Sequence, residues 1–177
     1  MYQYGLFLGL KAILTDLGNP FSAVTYNDMQ DDRENVMGIY VRSGQYTRYR
    51  ELATGQYANK RYRVQFIIQS GRSKDDILAA QKFGFKMEDR LPTVFNTEVA
   101  LDTAKIGFDD EHNLVIPEPP EEGETPVSLA QAVVGIIRVN PQSGLINVGK
   151  TEQGLSRYSY NINVEFYIYE KEAITNG

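Results

Sequence analysis

The stretch QSGLINVGKTEQGLSRYSYNINVEFYIY, residues 142–169, admits two incompatible readings, and the choice between them decides the fold. Gly144, Gly149, Lys150 and Thr151 satisfy the G-x-x-x-x-G-K-S/T spacing of a phosphate-binding loop, in which backbone amides and a lysine cradle an anion. Such a loop needs a helix directly after it, because the helix N-terminus supplies free N–H groups and positive potential. Here Glu152, Gln153 and Gly154 come next, and then Tyr158, Tyr160, Ile162, Val164, Phe166 and Ile168 alternate with Arg157, Ser159, Asn161, Asn163, Glu165 and Tyr167. That period of two predicts a long half-buried strand. Leu145, Ile146 and Val148 favour extended backbone, whereas a phosphate loop wants small residues that let its amides curl inward. The segment therefore reads as a β-hairpin that turns at residues 151–154.

Working outward, residues 132–139 supply a strand before the hairpin, and residues 61–70 another, with Tyr62, Val64, Phe66 and Ile68 on one face. Residues 36–43 alternate in the same way, and residues 22–26 form a weaker candidate strand. Two helices are predicted. Residues 2–16 carry Leu6, Leu10, Ile13 and Leu14 at helical spacing, stopped by Gly18, Asn19 and Pro20. The second runs over residues 74–91. Ser73 is its N-cap, Asp75 and Asp76 occupy its first turn, Ile77, Ala80, Gly84, Met87 and Leu91 form one face, and Pro92 ends it. Residues 99–107 and 113–116 are expected to form a strand and a short return. The expected fold class is α+β: a mostly antiparallel, mixed β-sheet with two helices packed on one face, plus an irregular acidic arm inserted at about residues 99–127. At 177 residues the chain suits a single domain.

The charge is segregated along the chain. Arg42, Arg48, Arg50, Lys60, Arg61, Arg63, Arg72 and Lys74 cluster in the middle, whereas Asp102, Asp109, Asp110, Glu111, Glu118, Glu121, Glu122 and Glu124 follow with only Lys105 among them. Two solvated faces would explain this, and so would two patches of one chain that meet across a subunit boundary. The loop at residues 44–59 interleaves Tyr46, Tyr49 and Tyr57 with Arg48 and Arg50, a composition suited to protein contact. Tyr46, Arg48, Tyr49, Arg50, Tyr57, Asp109, Asp110, Glu111, Glu121 and Glu122 are thus the candidate subunit or partner contacts.

Catalytic chemistry finds little footing. The single histidine, His112, lies in a polar loop among acids, and the chain has no cysteine to complete a nucleophilic or thiolate site. Asp109, Asp110 and Glu111 are consecutive and lack the alternating spacing of a calcium loop. No catalytic residue, metal or cofactor is assigned, and no run approaches the length of a membrane span. The net charge of −5 argues against a general affinity for nucleic acid.

The run RYRVQFIIQSGRSKDDILAAQKFGFKMEDRL followed by GLINVGKTEQGLSRYSYNINVEFYIY resembles the tail terminator proteins of long-tailed phages, also described as minor capsid or head–tail completion proteins. In that family a strand leads into an acid-capped helix, and a later segment has the form I-x-x-G-x-D-x-x-G-R-x-x-Y-S-x-N-h-x-V. Ile146, Gly149, Gly154, Tyr158, Ser159, Asn161, Ile162 and Val164 match it, with Arg157 two positions past the pattern's arginine, while Lys150, Thr151 and Glu152 replace the usual aspartate turn. The resemblance covers about two thirds of the chain. It implies a structural virion protein, not an enzyme: a hexameric ring, assembled in the bacterial cytoplasm, that caps the tail tube at the tail–neck junction. Its implied partners are further copies of itself, the tail tube protein and a head connector or neck protein, with DNA only passing through the lumen. The alternatives are a nucleotide-binding enzyme using Lys150, another neck or tail-tube component, and an unrelated adaptor or ligand-binding domain.

Overall fold

The structure, a computed structural model, describes residues 2–43, 60–101, 105–111, 114–116, 122–123 and 131–171. The elements run α1 (Tyr2–Asp16), β1 (Ala23–Tyr26), β2 (Val36–Ser43), β3 (Lys60–Gln69), α2 (Lys74–Arg90), a one-turn 3-10 helix (Leu91–Thr93), β4 (Phe95–Ala100), β5 (Gly107–Phe108), β6 (Leu114–Val115), β7 (Gln131–Pro141), β8 (Ile146–Lys150) and β9 (Ser156–Lys171). This is the expected α+β class, two helices on a large mixed sheet.

The sheet is ordered β1-β2-β3-β9-β7-β4, with β8 also paired to β9. Among the described residues every pairing in it is antiparallel except β1 with β2. β9 is the organising strand. Along one side it pairs with β3 over Arg157 to Phe166; along the other it pairs first with β8 and then with β7. The predicted alternation sets its core face: Tyr160, Ile162, Val164 and Phe166 are fully buried, and Tyr158 and Ile168 nearly so. Their cross-strand partners Ile68, Phe66, Val64 and Tyr62 from β3 share that face.

Both helices cover it. Leu6, Leu10 and Leu14 of α1 are buried there, and Gly9 lets α1 approach so closely that a Cβ would overlap Val134 of β7. α1 ends in a Schellman motif: Gly18 at φ +82° donates to Thr15, and Asn19 donates to the Leu14 carbonyl. In α2 the Ser73 Oγ accepts from the Asp76 amide at 3.0 Å, as its N-cap position predicts. Gly84 of α2 faces Leu145 and Ile68, and the Gln81 amide donates to the Tyr158 hydroxyl at 3.0 Å.

The hairpin turn sits where the sequence puts it. The Gly154 amide donates to the Thr151 carbonyl, Thr151 and Leu155 close the ladder, and Gly154 adopts φ +79°. Lys150 lies at the end of an exposed strand, and the next element is β9, so no helix follows it directly as a phosphate loop requires. A β-bulge between Asn147 and Gly149, with Gly149 at φ +103°, leaves Val148 as the extra residue.

The strand expected at residues 99–107 is displaced. β4 begins at Phe95 and ends at Ala100, so Val99 and Ala100 belong to the main sheet, not to the start of an arm. Beyond them Ile106 and Leu114 are buried against α1 near Gly5, at the roots of the separate β5–β6 hairpin. Ile106 and Leu114 thereby fix that hairpin to the helix-covered side of the sheet.

Candidate interaction surfaces

No described element covers the centre of the sheet face away from the helices, and the strand registers dictate what it displays. Residues directly opposite in paired strands share a face, so three rows cross it. One runs Tyr40, Gln65, Asn161; the next Arg42, Arg63, Asn163, Asn140; the third Arg61, Glu165, Arg138. Side chains tie the rows together. The Gln65 amide donates to the Ser159 hydroxyl at 3.1 Å, and the Asn161 amide reaches the Ser143 hydroxyl at 3.3 Å. Glu165 accepts from Arg138 at 3.0 Å and lies 3.5 Å from Arg61.

Both ends of this face are closed by the chain itself. At one end residues 27–35 fold over it. The buried Gln69 amide donates to the Gln30 and Arg33 carbonyls, its oxygen accepts from Arg157 Nε at 2.7 Å, and Arg157 also pairs with Asp31. At the other end the stacked rings of Tyr167 and Tyr169 donate to Glu98 at 3.0 and 3.2 Å, and Tyr167 lies over Gly135 so closely that any Cβ there would overlap its ring. Among the described residues, what remains open is a central window whose exposed members are Arg42, Arg63 and Arg138.

The predicted basic cluster is thus divided by strand parity. Arg42, Arg61 and Arg63 share the window. Lys60 falls on the core face, buried with its ammonium 3.1 Å from the Tyr2 ring centroid, and burial lowers its pKa. Arg72 pairs with Glu34 at 3.2 Å beyond the end of β3. Arg138 and Glu165 were not among the candidate contacts; only the register of β7 on β9 brings them beside Arg61. Asp109, Asp110 and Glu111 are exposed together at the tip of the β5–β6 hairpin, where Asp109 Oδ1 accepts from the Glu111 amide at 2.9 Å. Glu122 is exposed as well. The predicted contacts Tyr46, Arg48, Tyr49, Arg50, Tyr57 and Glu121 lie outside the described residues.

Two further features mark contact surfaces. β8 is exposed along its length, with Ile146 and Val148 each about half accessible, and among the described residues it pairs with β9 alone. On α2, Leu78 and Phe85 stand seven residues apart on the outward side. Among the described residues no group of three or more histidine, aspartate or glutamate side chains is placed to hold a metal ion, and no helix is long and apolar enough to cross a membrane.

Comparison with protein-family models and with curated protein sequences returns no match for this chain.

Proposed function

We propose that this chain is a structural assembly protein of a phage-type tail, a terminator whose ring closes the tail tube and joins it to the neck. The observation that carries the reading is the β8–β9 hairpin. Five residues of the terminator-like pattern have distinct jobs there: Gly149 at the bulge, Gly154 in the turn, Tyr158 anchoring α2, and Ser159 and Asn161 in the polar rows, while Arg157, two positions past the pattern's arginine, ties down residues 27–35. Distinct structural roles at these matching positions support a common architecture. The exposed apolar edge of β8, the outward stripe of α2 and the uncovered window support a chain built for contact with other proteins.

In this reading the partners are further copies of the chain, a tail tube protein and a head connector or neck protein. The work is mechanical and uses no cofactor, and DNA passes through the lumen without being held. Light scattering and negative-stain microscopy of the purified protein, alone and with tail tubes, test it. Rings, or added density at one end of the tubes, are expected. A protein that stays monomeric at high concentration and ignores the tubes would count decisively against the assignment.

A further inference from the structure

We propose that the open sheet window is a docking site for the acidic tip of a second copy, with Arg42 and Arg63 receiving Asp110 and Glu111. The proposal rests on the self-assembling reading above and names the contact that would build it.

Arg42 and Arg63 are direct cross-strand partners, both exposed, and neither has an acidic partner among the described residues. Like charges set opposite each other on a sheet repel, so this pair is suited to receive an anionic group. Among the described residues the window holds no spare carboxylate. Glu165, the carboxylate of these rows, is already shared between Arg61 and Arg138. Asn163 and Asn140 continue the Arg42–Arg63 row with neutral amides able to donate or accept.

The complementary group is present on the other side of the same chain. Asp110 and Glu111 are exposed at a hairpin tip whose roots, Ile106 and Leu114, are buried against α1 on the helix-covered side. The sheet therefore stands between tip and window, and an intramolecular contact is excluded. Two complementary patches on opposite sides of one subunit define a heterologous contact, the head-to-tail kind that closes into rings. Guanidinium forks suit carboxylates in particular, through paired N–H···O bonds. A nucleic-acid phosphate would offer the same charge, but the chain carries −5 overall, and Glu165, Asp31 and Glu98 lie on this same face.

Charge reversal separates these cases. Sedimentation velocity over a range of salt would compare the wild type with Arg42→Glu/Arg63→Glu, with Asp110→Lys/Glu111→Lys, and with the chain carrying all four changes. Each reversed pair should weaken self-association by about tenfold or more, and the fourfold variant should recover most of it, because attraction is restored with its sign exchanged. Wild-type assembly should also weaken as salt rises. All of these positions are exposed; melting curves check folding, and the neutral Asp110→Asn/Glu111→Gln chain gives a milder variant that should show the same direction. If the wild type forms rings that neither reversal weakens, or if the fourfold variant fails to recover while remaining folded, the docking proposal falls and the ring reading stands. If the wild type never associates, alone or on tail tubes, both fall. Loss of short-duplex DNA binding in Arg42→Glu/Arg63→Glu without change in assembly would reassign the window to nucleic acid and overturn the proposal.

Discussion

The two faces of the sheet are built from the same strands and obey opposite rules. On the covered face, alternate residues of β3 and β9 are apolar, buried and packed under two helices, so each position is fixed by volume. On the open face the intervening residues are arginines, amides and hydroxyls linked in rows, and their positions are fixed by hydrogen bonds and charge. One face holds the subunit together; the other is free to specify what it meets.

The largest effect should come from the covered face. Phe166→Ala should lower unfolding free energy by about 3–5 kcal/mol in urea denaturation, whereas Asn163→Ala, on the open side of the same strand, should stay within about 0.5 kcal/mol. Equal losses would erase the contrast. Next, Gly9→Ala should destabilise by about 1–2 kcal/mol even though alanine is the better helix former, since its methyl overlaps the stiff Val134 side chain. A gain in melting temperature would show that α1 does not sit so close to β7.

Tyr160 is an exception to the covered face's apolar rule. Its hydroxyl is buried without a hydrogen-bond partner, and burial, with Glu88 nearby, pushes its pKa up to about 12. Tyr160→Phe should therefore raise stability at neutral pH by about 1 kcal/mol. The sign of the pH dependence follows from the raised pKa. The folded state holds the phenolic proton more tightly than the unfolded chain, whose value is near 10.0, so this contribution is complete below pH 10 and disappears as pH rises toward 12. The phenylalanine variant should show a shallower alkaline decline; identical curves would mean that the phenol titrates alike in the folded and unfolded chain. The smallest effect belongs to the open face, where Arg138→Ala removes a half-exposed ion pair and should change stability by less than about 1 kcal/mol.

Most of the covered face was legible because period two and period 3.6 are direct records of burial. Tyr158 through Ile168, the α1 leucines and the Ser73 cap needed no partner to be recognised. The hairpin turn at Thr151 and Gly154 was legible too, since its residue types encode the backbone they adopt. The open window was not, because Arg42 meets Arg63, and Arg61 meets Arg138 through Glu165, only once strand order and register are known. Lys60 shows the hazard of reading charge without parity: it is adjacent to Arg61 yet points to the opposite face. β4 escaped because an exposed edge strand has little alternation to betray it, and only Val99 among its residues is even partly buried.

The central place of β9 has a consequence for how the chain matures. Until residues 156–171 leave the ribosome, β3 and β7 each lack the neighbour that separates them in the finished sheet, and two strand edges stand open. All of the strands that precede β9 must be translated before either half can be sealed, at about 5–20 residues per second. Nascent subunits thus pass through an interval in which their aggregation hazard is highest and the sheet that displays the window does not yet exist.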